Sequence, residues 1–330
     1  NFPFTTIKPN VGIAYVNTIC ACKHFKIEHS NPLCMSGIRF VPVKLIDVAG
    51  LVPGAHEGKG LGNQFLDDAR QAEVLIHVVD ISGSTDIQGQ SVNVGTHDPR
   101  EDIKFAEEEF DSWFKQILER EWQKLSKEIE KTKTKLADGI TDRFSGLGVK
   151  VNHVHEVLQN LGLLTKKPNE WDDSDLTKFA QMLRKKTKPM LIAANKADLC
   201  KSLEITNEIH KNREIINCSS ETELLLKKAA KADLIEYIPG NEKFVINKNV
   251  DISAPQKAAL NLAESVLSKL NSTGIQTALN SAVFRVLKLI IVFPVEDETK
   301  LSNKDGEILP DAKILSENAT ARNLAEVIHQ

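Results

Sequence analysis

The sequence lacks several features, and each absence removes a class. It has no marked charge excess: 42 Lys and Arg against 45 Asp and Glu leave a net charge of −3. No basic field therefore covers the whole chain, although a local patch can still meet RNA. No apolar run reaches the ~18 residues that a membrane crossing needs. The longest candidate, Val283 to Val295, is interrupted by Arg285, Lys288 and Pro294, so no membrane partner is expected. There is no initial Met and no charged-then-apolar leader. Cysteine is scarce and odd in number, five in 330 residues. That argues against a disulfide scaffold and for a reducing compartment, the cytoplasm. What is present, 41% hydrophobic and 26% charged residues, is ordinary globular composition. The length suits about two domains. Asn1-Phe2-Pro3-Phe4 reads as the middle of a segment and Gln330 falls inside a helical pattern, so both ends are expected to continue.

Periodicity organises the rest. Val11 to Ile19 and Ile38 to Ile46 read as strands, with a loop or hairpin tip from Cys20 to Gly37 that holds three of the cysteines. Asp47 to Gly62 is a glycine loop, Asn63 to Gln71 a helix, and Val74 to Val79 a buried-type strand ending at Asp80. Strand, helix and strand in that order suit an α/β sheet with ligand loops at the C-terminal strand ends. From Pro99, capped by Asp98, the pattern predicts one long helix to Ala137, with Asp138-Gly139 as a turn. Leu118, Trp122, Leu125, Ile129, Thr132 and Leu136 recur at spacings of four and three, a coiled-coil-like stripe. Helices follow over 151–164 and 173–186, and Met190 to Ala194 is again a buried strand. A short strand, 214–217, then leads into helices over 221–232, 253–270 and 275–287. The C-terminal part reads as a strand from Leu289 to Val295, a polar hairpin with Asp305-Gly306, and a last helix from Thr320.

Four separated pieces carry chemistry. An apolar strand ends on Asp47, and Gly50 follows. A carboxylate there can hold a metal or its water, and a glycine lets its N–H approach a phosphate oxygen. Asn195-Lys196-Ala197-Asp198 follows a buried strand. A carboxylate at Asp198 can accept two hydrogen bonds, from the N1–H and the exocyclic amine of guanine, a pair that adenine does not offer. Asn195 would steady the loop and the Lys196 stem would lie over the base. Ser219-Ser220 follows the next strand, where a backbone N–H can reach the guanine O6. Thr5-Thr6 can supply a hydroxyl to Mg²⁺.

Together these stretches resemble the Obg-family GTPases, in the YchF-related branch of archaeal and fungal type that carries a C-terminal TGS domain. The resemblance rests on Asn1-Phe2-Pro3-Phe4-Thr5-Thr6-Ile7, Asp47 to Gly58, Gly60 to Leu66, Asn195 to Asp198 and Ala229-Ala230-Lys231-Ala232, and runs nearly the full length. It implies an α/β fold, a P-loop NTPase (Ras-like) sheet with a coiled-coil-like helical insertion and a partial β-grasp (TGS) module. The corresponding boundaries are 1–97 and 188–287 for the two parts of the GTPase domain, 98–187 for the insertion, and 288–330 for an incomplete TGS domain. It also implies GTP and Mg²⁺ as ligands, and a ribosome or RNA partner met through the insertion and the TGS module. Thr6 would be the switch threonine, with Thr5 the alternative. Asp47 would bind Mg²⁺ through water, and the Gly50 N–H would sense the γ-phosphate.

Three departures qualify that picture. The phosphate loop Gly-x-x-x-x-Gly-Lys-Ser/Thr is absent from these residues and is expected before Asn1, so the segment alone is expected to bind nucleotide weakly. Leu51 stands where many GTPases carry a water-orienting Gln, which predicts slow intrinsic hydrolysis, with His56 as a candidate catalytic group. Other YchF proteins alter the Asn-Lys-x-Asp tetrad and prefer ATP, whereas Asp198 here predicts GTP. The competing readings are a binding module in which nucleotide is only a slow timer, and an ATPase.

Cys20, Cys22, His29 and Cys34 form a possible Zn²⁺ set, with His24 as alternative fourth ligand and free thiols as the competing reading. Cys200 and Cys218 read as small hydrophobes. Arg184-Lys185-Lys186-Thr187-Lys188 and Lys227-Lys228 are basic runs, read as a solvated helix face or an RNA contact.

Overall fold

A computed structural model describes residues 10–48, 68–132, 134–211 and 213–328. Thr5, Thr6, Gly50 and His56 lie outside these residues, as does most of the helix expected from Asn63.

The described chain begins with β1 (Asn10–Ile19), α1 (Ala21–Phe25), β2 (Cys34–Met35), β3 (Ile38–Asp47) and β4 (Leu75–Asp80). Four helices follow: α2 (Pro99–Thr132), α3 (Leu136–Phe144), α4 (Val151–Asn160) and α5 (Asp173–Thr187). Then come β5 (Met190–Asn195), α6 (Glu204–His210), β6 (Ile215–Asn217), α7 (Ser220–Lys231), β7 (Ile235–Glu236) and β8 (Val245–Ile246). The chain closes with α8 (Ala254–Leu270), α9 (Ile275–Asn280), β9 (Leu289–Val292), β10 (Lys313–Ser316) and α10 (Ala321–Ile328). No helix among the described residues is long and apolar enough to cross a membrane.

Two compact units result. The first takes in Asn1–Asn10, Ile46–Val79 and Gly83–Met190; the second takes in Val11–Leu45, Asp80–Ser82 and Leu191–Gln330.

The first unit is built on a helical bundle. Pro99 opens α2 because its missing N–H is not needed there, and the Asp98 carboxylate accepts the Arg100 N–H at 3.0 Å. Phe114, Leu118, Trp122 and Leu125 of α2 are buried with Ile140, Phe144, Val154, Leu158, Phe179 and Leu183. Burying each of these side chains contributes about 1.5–3 kcal/mol. The Trp122 and Trp171 rings stack at 4.6 Å, so Trp122 serves packing, as its place in the stripe implies.

Three expectations fail in this unit. The long helix stops at Thr132, whose hydroxyl donates to the Glu128 carbonyl at 2.8 Å and to which the Thr134 N–H donates. The expected turn at Asp138-Gly139 lies inside α3. Gly139 is small for a packing reason: a Cβ there would stand 3.0 Å from Leu125 Cδ1 and 3.4 Å from Ile129 Cδ1. The basic run after Leu183 is not one solvated face either. Arg184 is buried and pairs with Asp111 at 2.7 Å. Lys188 is buried and donates to the Arg70 and Ala72 carbonyls, both at 2.6 Å. Only Lys185 and Lys186 of that run face solvent.

In the second unit the sheet order is β1-β3-β2, and β2 pairs antiparallel with β3 through Cys34↔Arg39 and Met35↔Ile38. Ser36 and Gly37 both have positive φ, which a two-residue hairpin turn of this twist requires. Val16 and Val41 are buried with Val283, and Leu289, Ile291 and Ile314 of the antiparallel β9–β10 pair pack against them. The helix expected over 275–287 changes character midway. After Asn280 it becomes a π-helix, with the Leu287 N–H reaching the Ala282 carbonyl at 3.1 Å. β5 and β6 pair in parallel, Ile192↔Ile215 through Ala194↔Asn217. That parallel pairing sets the geometry of the site.

Candidate functional site

Leu191, Ile192, Ala193 and Ala194 are all buried, as a strand covered on both faces must be. Because β5 and β6 run parallel, their C-terminal ends open on one edge, where ligand loops belong in such sheets. Asn195 to Asp198 leave from β5, and Ser219 and Ser220 leave from β6.

The two loops are bound to each other. The Asn195 side-chain oxygen accepts from the Ser220 N–H at 3.0 Å and from its hydroxyl at 2.9 Å. The Ala197 N–H donates to the Cys218 carbonyl at 3.0 Å, and the Ser219 N–H to the Thr273 carbonyl at 2.8 Å. Both serine N–H groups therefore already have acceptors within the chain. Ser219 is buried, and its hydroxyl meets that of Thr222 at 2.8 Å. Beneath this loop, Glu223 accepts from the Tyr237 hydroxyl at 2.8 Å and the Thr273 hydroxyl at 2.6 Å. Burial, and then the Glu223 charge, raise the Tyr237 phenol well above its ordinary range, so it stays a donor.

Lys196 is strained by design of the turn: its φ is 61°, in the left-handed region. Its ammonium pairs with Asp80 at 2.7 Å. Asp80 also accepts the Ser82 N–H at 3.0 Å and the Ser82 hydroxyl at 2.5 Å. Lys269 of α8 donates to the Ala197, Asp198 and Cys200 carbonyls at 3.3, 3.0 and 2.5 Å. The backbone on both sides of Asp198 is thereby held. Its carboxylate has no hydrogen-bond or ion-pair partner among the described residues and is half-buried. The arrangement is a fixed frame around one open acceptor.

Asp80, Ser82 and Lys269 support the Asn195–Asp198 loop, and sequence reasoning missed them. A signal existed for Asp80, a carboxylate ending an apolar strand as Asp47 does. Lys269 gave none, since two whole helices, three strands and most of α8 separate it from the tetrad. Burial keeps the Cys200 thiol above its ordinary value and pushes Cys218 up to about 12, in keeping with their role as small hydrophobes.

Asp47 ends β3 as an exposed carboxylate, with no hydrogen-bond or ion-pair partner among the described residues, which fits a ligand for a hydrated cation. Cys20, Cys22, His29 and Cys34 are brought together, with one ligand atom of each within 4.8 Å of all the others. Burial raises the Cys20 thiol, but hydrogen bonds from the Cys22 N–H and from the Cys22, Arg39 and Cys34 side chains outweigh it and lower the net value. Burial, with Cys20 beside it, pushes Cys34 up to about 12. Burial and then the Arg39 charge lower the His29 imidazole, which keeps it neutral.

Comparison with known proteins places this frame. Residues 193–297 match the family described as Obg-like GTPase YGR210-like, G4 motif-containing domain. Residues 1–108 match the family described as 50S ribosome-binding GTPase. An uncharacterised GTP-binding protein of Methanocaldococcus jannaschii is 42% identical over 334 residues, covering 100% of this chain and 83% of that protein. An uncharacterised GTP-binding protein of Schizosaccharomyces pombe is 33% identical over 343 residues, covering 99% and 83%. The crystal structure of a GTP-binding protein from Pyrococcus horikoshii superimposes with a TM-score of 0.78 at 37% identity, covering 97% of this chain and 83% of that one. The sequence motifs, the parallel sheet and these full-length likenesses agree: the chain belongs to the Obg-like GTPase family of GTP-binding proteins.

Proposed function

We propose that this chain is the switch-bearing part of a slow GTPase that selects guanine through Asp198 and works with ribosomes in the cytoplasm. The observation that carries the reading is the open Asp198 carboxylate in a backbone held by Lys269, Asn195 and Lys196. A pre-set acceptor loses little freedom when a base binds, so its two hydrogen bonds contribute nearly in full. Ser219 and Ser220 hold the loop, and a Ser220 N–H released from Asn195 would be free to reach the base.

Thr6, Asp47 and Gly50 make up the phosphate side of the reading. Mg²⁺, bound with the nucleotide, would offset phosphate charge there, and Asp47 would hold it through water. Leu51 offers no amide to orient water, which makes intrinsic turnover slow and leaves His56 as the group to test. Segment 98–187 would be the arm and 288–330 part of a TGS module, the surfaces that meet a ribosomal partner. The match of residues 1–108 to a family described as 50S ribosome-binding GTPase supports that partner.

Phosphate release by the full-length protein, with GTP and with or without ribosomes, tests the reading. Slow turnover that ribosomes accelerate is expected. Release that stays at background in both cases contradicts it and favours a binding module.

A further inference from the structure

The hairpin tip between β1 and β3 has no hydrophobic core of its own. Ala21 to Met35 contains no buried residue, and α1 buries none of its side chains. Short segments of this kind need a staple to hold one conformation. Cys20 between β1 and α1, Cys22 in α1, His29 in the following loop and Cys34 in β2 converge within the tip. Cys20 Sγ lies 3.5 Å from His29 Nε2, and Cys22 Sγ lies 4.0 Å from Cys34 Sγ. A tetrahedron with Zn–S of about 2.3 Å and Zn–N of about 2.0 Å has edges of about 3.5–3.8 Å. Two of the six edges are therefore already near the spacing of a closed zinc site, and the others lie within 4.8 Å, a small contraction away.

A second observation points the same way. Arg39 of β3 is 1% exposed, and no carboxylate pairs with it among the described residues. Its Nη2 donates to the Leu309 carbonyl, and its guanidinium sits over the Phe293 ring at 5.6 Å. Its Nε has no acceptor, and its side chain hydrogen-bonds Cys20. Burying an uncompensated guanidinium is costly. Zn²⁺ held by three thiolates and one neutral imidazole has a net charge of −1, the counter-charge that Arg39 lacks.

We propose that Cys20, Cys22, His29 and Cys34 bind a structural Zn²⁺ whose thiolate shell is the buried counter-ion of Arg39. Binding converts three thiols to thiolates and releases their protons to solvent; no electron is transferred. Zinc on Nε2 puts the imidazole proton on Nδ1, so the long 3.4 Å contact from the Asn31 N–H to Nδ1 is given up. The metal also fixes the tip against the 309–310 segment, where Asn31 Nδ2 donates to the Pro310 carbonyl at 2.8 Å. The site is independent of nucleotide.

Metal analysis of the full-length protein, purified under reducing conditions and incubated with Zn²⁺, tests this. Near one zinc per chain is expected, lost in the Cys22→Ser/Cys34→Ser double variant and kept in Cys200→Ala. Exchange of Co²⁺ into the unaltered protein removes any dependence on variant folding. Thiolate-to-cobalt charge-transfer bands with tetrahedral d–d bands are expected. Arg39→Met should weaken zinc about tenfold or more, and Arg39→Lys should restore most of it. Zinc at background, a cobalt spectrum without thiolate bands, or a Cys22–Cys34 disulfide formed under these conditions overturns the proposal.

Discussion

The Asn195 side-chain oxygen accepts both the N–H and the hydroxyl of Ser220, at 3.0 and 2.9 Å, and so joins the loop after β5 to the loop after β6. Neither bond is deep in a core, because Ser220 is exposed. Their value lies in aligning two loops that the same ligand would touch. Asn195→Ala should therefore weaken GTP binding by about tenfold or more, the worth of one to two such bonds, with little change in thermal stability. Titration with a fluorescent GTP analogue, alongside a melting curve, checks both halves of that statement.

Gly274 sets the height of the same floor. Its φ is 78°, and a Cβ there would stand 1.8 Å from the Asn217 carbonyl oxygen. That oxygen belongs to β6 and cannot swing aside, unlike a side-chain tip. Gly274→Ala should cost at least about 2 kcal/mol. It should also disturb the Ser219 N–H to Thr273 carbonyl bond and lower GTP affinity. Chemical denaturation and the same titration measure the two effects.

How far these features could be read in advance varies with their physical cause. The strand before Asn195 was legible because a run buried on both faces is uniformly apolar, and it forms over Met190–Asn195. Membership of an Obg-like GTPase family was legible because motifs at separated positions had to agree. The end of α2 was not, since helix-forming residues continue across the break. Gly139 misled because glycine marks both turns and close helix contacts, and only the 3.0 Å approach of Leu125 separates them. The π-helix from Ser281 to Val286 leaves no trace in a helical pattern. Arg184 and Lys188 were misread because a basic run looks solvated until its partners are known, here Asp111 and two backbone carbonyls. The cysteine spacing was visible, but Arg39, which lends the cluster its electrostatic sense, looked like any strand residue.

His77 of β4 provides a pH dependence. Burial brings its imidazole down to about 4, with the Glu107 charge opposing this, and its Nδ1 is sealed with no partner. In the unfolded chain the ordinary value is 6.5. Between these values the unfolded state binds more protons, so folding stability falls as pH drops from about 6.5 towards 4. The loss can reach about 3 kcal/mol at 1.36 kcal/mol per pKa unit. Between pH 7 and pH 5 the loss is about 2 kcal/mol, which urea midpoints at the two pH values should show, and His77→Gln should remove this part of the difference.

The most direct measurement is the affinity of the full-length protein for GTP and for ATP, with and without Asp198→Ala. Two hydrogen bonds to a carboxylate in a fixed loop predict at least about a tenfold preference for GTP. Asp198→Ala should abolish that preference by weakening GTP binding and leaving ATP binding unchanged. ATP bound as tightly as GTP by the unaltered protein, or a GTP preference that survives Asp198→Ala, would contradict guanine selection by Asp198.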